Sequence, residues 1–210
     1  MNNFQGKTAW VTGASSGIGE GIVRDLAEKG VKIILSARNL DALEKIKATL
    51  PNSDQHICIS LDLEHSQNFP ELANEVISKM GKIDFLFNNG GLSQRSEAGE
   101  TPLEVDRRIM EINYFGNIAL TKAVLPYMQK QKSGHIIVIS SIAGKFGFFL
   151  RSAYSASKHA LQGFYERCWK ARPATFRRKV AGSIRTKNIF RLTPQIFSSS
   201  AAALLWGSTR

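Results

Sequence analysis

The sequence predicts an α/β fold, a doubly wound parallel sheet flanked by helices. Three observations carry that expectation. Short β-rich runs alternate with longer segments of helical spacing, the runs are continuously apolar, and glycine or proline marks the returns between them. A strand that is apolar throughout must be covered on both faces, as a parallel sheet between helices is. Alternation of strand and helix through short connections is how such a sheet is wound.

The elements follow in order. A first strand is expected over 8–12 (TAWVT), then a helix from near Gly17 with Ile18, Ile22, Leu26 and Ala27 on one face. A second strand over 32–36 (KIILS) leads to a helix over 40–50, and a third over 56–60 (HICIS) to a helix over 68–80. The fourth, 85–88 (FLFN), precedes a long helical pattern over 102–131, and the fifth, 135–140 (HIIVIS), precedes one over 152–170. Gly30, Pro51, Gly81 and Gly134 punctuate the returns. Residues 1–166 read as one domain without repeat or linker.

Composition narrows the class. A 210-residue chain, 43% hydrophobic and 21% charged, is long enough for one sizeable core and is neither disordered, collagen-like nor coiled-coil. The sequence has no apolar stretch of about 18 residues, so no transmembrane anchor is expected. The opening MNNFQGKTAWVTG has no secretory pattern. A cytoplasmic location is expected, with peripheral membrane contact left open. Cys58 and Cys168 share no CxxC spacing, which argues against a disulfide framework and a cysteine-rich zinc site. The net charge of +11 is uneven: residues 1–166 carry 18 Lys+Arg against 17 Asp+Glu, and residues 167–210 carry 10 and none. Residues 167–210 are therefore a divergent basic segment without sustained periodicity, open to poor ordering. A nucleic-acid or anionic-membrane arm is one reading of it. Without ordered aromatic interleaving or amphipathic spacing, no specific nucleic acid is expected.

Thr12-Gly13-Ala14-Ser15-Ser16-Gly17-Ile18-Gly19 follows the first strand and opens the first helix. Glycine permits the tight turn and close backbone approach to a pyrophosphate, while the helix N-terminus favours the anion. In this strand–loop–helix setting the triplet predicts a dinucleotide site, which makes the sheet Rossmann-type and residues 1–166 an NAD(P)-binding domain. At the end of the second strand stands Leu35-Ser36-Ala37-Arg38, without the acidic residue that would hold the ribose hydroxyls of NAD. Arg38 suits a 2′-phosphate and a small Ser36 leaves room for it, so NADP(H) is favoured over NAD(H). The plainer alternative is a solvated surface arginine.

Tyr154-Ser155-Ala156-Ser157-Lys158 sets a phenol and an ammonium at i and i+4, on one face of a helix. A nearby ammonium stabilises phenolate and makes tyrosine a usable acid or base. Ser141 follows the apolar run HIIVIS, at the carboxyl edge where open α/β sheets bind ligands. Together, TGASSGIG, NNGG at 88–91, Asn113 in EINYFGN, Ser141 and YSASK resemble the short-chain dehydrogenase/reductase family in order and spacing. NNGGLSQRS and YSASKHALQGF look closest to its dehydrogenase/reductase SDR family member 7 group. The resemblance covers about residues 5–166.

The resemblance implies a tetrad of Asn113, Ser141, Tyr154 and Lys158. Tyr154 would be general acid in carbonyl reduction or base in alcohol oxidation. Lys158 would hold the nicotinamide ribose, Ser141 the substrate oxygen, and Asn113 a helix irregularity and a relay water. Gly13, Ser15, Ser16, Gly17, Ile18 and Gly19 would line the cofactor phosphates, Asp62 and Leu63 the adenine, and Asn89 and Gly90 the adenosine ribose. The family's NNAG reads NNGG here, a lost methyl expected to be harmless. The implied activity is hydride transfer between NADP(H) and a small hydrophobic carbonyl or alcohol, such as a steroid or retinoid, by a homodimer or homotetramer pairing through the long helices. The alternative is an inactive or regulatory dinucleotide-binding relative.

The resemblance stops after the tyrosine helix. The family expects a sixth strand ending in a Pro-Gly loop, then a threonine and a seventh strand. Here 179–184 is a candidate last strand, Ala181 stands where proline is expected, and Thr186 is the candidate nicotinamide-contacting threonine. The C-terminal strands are therefore expected to be incomplete. The economical explanation is an altered C-terminus from a shifted reading frame or alternative splicing.

Overall fold

Five parallel strands form one sheet in the order β3-β2-β1-β4-β5. The computed structural model describes residues 4–167. The strands are β1 Thr8–Thr12, β2 Lys32–Ala37, β3 Ile57–Ser60, β4 Phe85–Asn88 and β5 His135–Val138. The helices are α1 Gly17–Glu28, α2 Leu40–Ala48, α3 Phe69–Met80, α4 Leu103–Met110, α5 Asn117–Lys130 and α6 Ser152–Arg167. The expected strand over 179–184, Ala181, Thr186 and the end of the helix expected over 152–170 lie outside the described residues.

Continuous apolarity in the strands is explained by their two covers. Ala9 and Val11 of β1 and Ile33 and Leu35 of β2 pack with Ile22, Val23 and Leu26 of α1 and Leu43 of α2. Trp10 and Ile34, pointing the other way, pack with Val76 of α3 and Leu120, Val124 and Met128 of α5. Each successive side chain thus meets a different helical layer, as the two-residue period of a strand requires. At the lower end of the sheet Asp84 accepts from the Thr8 N–H (2.9 Å) and pairs with Lys7 and Lys82. Burial pushes its carboxyl up, but these partners outweigh burial and hold it below the usual range.

Two predicted elements are altered. β5 stops at Val138 rather than residue 140, because its pairing with β4 ends at Asn88↔Val138 and the chain then turns toward α6. The long helix expected over 102–131 is α4, a π turn over Glu111–Gly116, and α5. The Asn117 side chain donates to the carbonyls of Ile112 (3.1 Å) and Asn113 (2.9 Å), occupying acceptors at the wide turn. Gly116 is needed there because a Cβ would lie 2.1 Å from the Leu63 carbonyl oxygen.

The strand order reverses at β1, whose neighbours β2 and β4 lead to opposite edges. The crevice at the carboxyl ends of β1 and β4 is where open α/β sheets take ligands. Among the described residues, no helix is long and apolar enough to cross a membrane.

Candidate functional site

The loop after β1 sits at that crevice. Gly13 (φ 64°) and Gly17 (φ 56°) occupy the left-handed region open to glycine. Gly19 meets a different demand: a Cβ there would lie 2.0 Å from the Gly13 carbonyl oxygen, so only a bare backbone lets α1 approach the loop. Ser16 caps α1 without a side-chain bond. Because the first amides of a helix have no intrahelical acceptor, this end presents N–H groups and a positive dipole. Ser15 is half-buried, Ser16, Gly17 and Ile18 are exposed, and space is open above Gly17. Ile18, expected on the core face with Ile22 and Leu26, instead faces out at 37% exposure. An anion on these amides fits what the loop leaves open.

Thr12 ties this loop to the end of β4. Its hydroxyl donates to the Phe87 carbonyl (3.2 Å) and accepts from the amides of Asn89 (3.0 Å) and Gly90 (2.9 Å). The Asn89 side chain donates back to the carbonyl of Thr12 at 3.0 Å and to that of Gly13 at 3.3 Å. A Cβ at Gly90 would be 2.7 Å from Leu63 Cδ1, so an alanine there would require the end of the buried Leu63 side chain to shift. Asp62 is half-buried, and one carboxylate oxygen accepts from the Glu64 amide (3.0 Å).

At the end of β2 one expectation is corrected. Ser36 is fully buried and its hydroxyl accepts from Trp10 Nε1, so it lies inside the sheet's cover and opens no room for a phosphate. Arg38 is exposed and makes no ion pair or hydrogen bond among the described residues.

The other cluster joins β5, the π turn and α6. Asn113 is fully buried; its Oδ1 accepts from the Leu92 N–H (2.7 Å), and its Nδ2 donates to the Leu92 carbonyl (2.8 Å) and to Ser157 Oγ (3.0 Å). Ser157 in turn donates to the Tyr154 carbonyl (2.8 Å). Lys158 Nζ lies 5.6 Å from the centre of the Tyr154 ring and donates to the Ile139 carbonyl (3.0 Å). Burial, with no carboxylate among the described residues to offset it, pushes the Lys158 ammonium down to about 8. Ser141 caps the short turn Ile142–Gly144, its Oγ accepting from the Ala143 amide (3.1 Å) and so keeping its proton to donate. Its neighbours are pinned to α6: Ile139 by Lys158, and Ser140 by Gln162 (3.3 Å).

The fold thus brings Asn113, Tyr154 and Lys158 together and holds Ser141 on a turn packed against the same helix. Thr12, Gln94, Asn117 and Ser157 complete the surroundings, although sequence reasoning gave them no role. Thr12 carried a signal, a hydroxyl at the last position of β1 beside the glycine loop.

A family profile described as short chain dehydrogenase matches residues 7–172. The chain belongs to that family. Among short-chain dehydrogenases, the Drosophila melanogaster dehydrogenase/reductase SDR family protein 7-like is 44% identical over 168 residues, 78% of this chain and 52% of the relative. The Homo sapiens dehydrogenase/reductase SDR family member 7 is 44% identical over 161 residues, 74% of this chain and 48% of the relative. The chain therefore spans about half the length of these relatives. A metagenomic short-chain oxidoreductase solved in complex with NADP superposes with a TM-score of 0.74 at 31% identity, covering 80% of this chain and 77% of the other. The family and the Rossmann-type sheet read from the motifs are both upheld.

Proposed function

We propose that this chain is an NADP(H)-dependent oxidoreductase that interconverts a hydrophobic carbonyl and its alcohol. The single observation that carries the reading is the shared framework of Asn113, Tyr154 and Lys158 beside Ser141, placed next to an open glycine loop. The exposed Arg38 and the NADP bound to the metagenomic relative support NADP(H) over NAD(H). Gly13, Ser15, Ser16, Gly17, Ile18 and Gly19 would hold the pyrophosphate, and Asp62, Leu63, Asn89 and Gly90 the adenosine half. Bound there, the cofactor supplies hydride from its nicotinamide.

The protein's own residues supply the rest. The Ser141 hydroxyl donates to the substrate oxygen, where negative charge develops during reduction. The Tyr154 hydroxyl gives that oxygen its proton, or takes it in the oxidative direction. Lys158, its Nζ 5.6 Å from the centre of the Tyr154 ring, would orient the nicotinamide ribose beside that phenol. Asn113 keeps the π turn, the Leu92 backbone and α6 in register, and would support a relay water as the family resemblance implies. Phe146, Phe148 and Phe149, on the segment between Ser141 and Tyr154, are 65%, 45% and 82% exposed and supply an apolar surface for the substrate. Exposed Leu103, Val105 and Phe115 support pairing of two copies through this helical edge.

The test is titration of the full chain with NADPH and NADH, wild type and Arg38→Asp, followed by NADPH oxidation over a panel of hydrophobic carbonyls. Wild type should prefer NADPH at least tenfold, about 1.4 kcal/mol, and Arg38→Asp should erase that preference. Equal affinity for both cofactors would reject the NADP(H) assignment. Tight NADPH binding without turnover would favour a dinucleotide-binding role.

A further inference from the structure

We propose that Gln94 is a positioning residue for Tyr154, its side-chain amide capping α6 from the loop after β4. The inference rests on the proposed role of Tyr154. Gln94 lies 60 residues away in sequence, yet its Oε1 accepts from the Tyr154 N–H at 3.1 Å and its Nε2 donates to Ser152 Oγ at 3.1 Å. The first backbone bond at this end of the helix is Ser155 N–H to the Arg151 carbonyl (2.8 Å). The Tyr154 amide therefore precedes the intrahelical ladder, and Gln94 is the acceptor it has. Gln94 is buried at 9% exposure, while Ser93 and Arg95 on either side are exposed, so this side chain alone of the three turns inward.

Its neighbours grip the same turn. The Ser96 N–H donates to the Leu150 carbonyl (3.2 Å), and the Arg151 guanidinium donates to Ser93 Oγ. Leu150 sits at φ 62°, a left-handed backbone that a leucine adopts only when its surroundings hold it. The near end of the loop is fixed by Asn113, which bonds both the N–H and the carbonyl of Leu92. Leu92–Ser96 is thus a short strap that ties the π turn holding Asn113 to the helix turn carrying Tyr154. Gln94 is its attachment at the tyrosine end.

The experiment compares full-length wild type, Gln94→Met, which keeps length but has no amide, and Gln94→Glu, which keeps the acceptor and suits a helix N-terminus. Amide hydrogen exchange at Tyr154 and the ring 13C resonance of labelled Tyr154, assigned by its loss in Tyr154→Phe, are read alongside NADPH affinity and turnover. In Gln94→Met the Tyr154 amide should exchange about tenfold faster, the ordinary worth of a cap, and the ring resonance should move. NADPH affinity should stay within about twofold and kcat should fall about tenfold with KM held. Gln94→Glu should restore all of these. If Gln94→Met does not fold, Gln94→Asn, one methylene short of the Tyr154 amide, makes the same comparison. Unchanged exchange and resonance, or a glutamate variant no better than methionine, would overturn the proposal. A wild type with no turnover would defeat the enzymatic reading instead, while exchange and resonance still decide whether Gln94 positions the ring.

Discussion

Gly19→Ala should destabilise the fold even though alanine is the better helix former. A Cβ at Gly19 would lie 2.0 Å from the Gly13 carbonyl oxygen, 2.7 Å from Asn89 Nδ2 and 2.8 Å from the Gly13 carbonyl carbon. These gaps are far inside contact distance, and two of the three atoms are backbone that cannot rotate away. Overpacking of this kind costs about 3 kcal/mol at the upper end of its usual range. Against that, alanine gains about 1 kcal/mol of helix propensity, leaving a net loss of about 2 kcal/mol. Gly21 is the control, two residues further along α1, with nothing within 4 Å of its Cβ position. Gly21→Ala carries the same propensity gain without the clash and should stabilise by about 1 kcal/mol. The difference between the variants, about 3 kcal/mol, isolates the close approach of α1 to the loop. Urea unfolding at fixed pH measures it, and NADPH titration should show weaker binding for Gly19→Ala alone. Two variants of equal stability would refute the reasoning.

Further outcomes follow from the buried polar groups. His56 accepts from the Ile33 N–H (3.1 Å) on Nδ1 and lies 2.9 Å from the Pro51 carbonyl on Nε2, so the ring fits as the neutral tautomer with its proton on Nε2. Burial lowers its pKa, outweighing the contributions of Pro51 and Asp54 that raise it. Its stabilisation is therefore full above the unfolded value of about 6.5 and is lost as pH falls through the folded value, by at most about 1.4 kcal/mol per pH unit. Urea midpoints between pH 8 and 5 should show this, and His56→Gln should flatten it. Lys158→Met should stabilise while abolishing turnover. A fall from 10.5 to about 8 corresponds to about 3 kcal/mol of burial cost at pH 7, less about 1 kcal/mol for the hydrogen bond to Ile139, a net gain of roughly 2 kcal/mol in thermal or urea unfolding. Asn113→Leu strips three hydrogen bonds from the strap and α6 and should cost about 3 kcal/mol in urea, with faster amide exchange at Leu92.

Much of this was legible in the sequence. The strands were readable because each is apolar on both faces, and the bounds of β1 and β4 match the expected 8–12 and 85–88. The glycine spacing was readable because each of the three glycines answers a local backbone demand. The π turn was not legible in the periodicity, since the apolar pattern across 102–131 continues through it while its cause lies in the Leu63 backbone and the Asn117 amide; only the family resemblance, through Asn113, put a helix irregularity there. Ser36 was misplaced even though strand parity held the answer: it shares the face of Ile34, which packs beside Trp10. Gln94 was invisible because its partner is 60 residues away and an isolated glutamine in a polar loop carries no periodicity.

The central claim is that this framework passes hydride to a carbonyl while Tyr154 supplies the proton. The most direct measurement incubates the full chain with NADPH carrying deuterium at both nicotinamide C4 positions and a hydrophobic ketone, and reads the alcohol by mass spectrometry. The account predicts one deuterium on the carbinol carbon with wild type and, with Tyr154→Phe, product reduced by at least about a hundredfold. Alcohol formed without deuterium, or formed equally well by Tyr154→Phe, would contradict it.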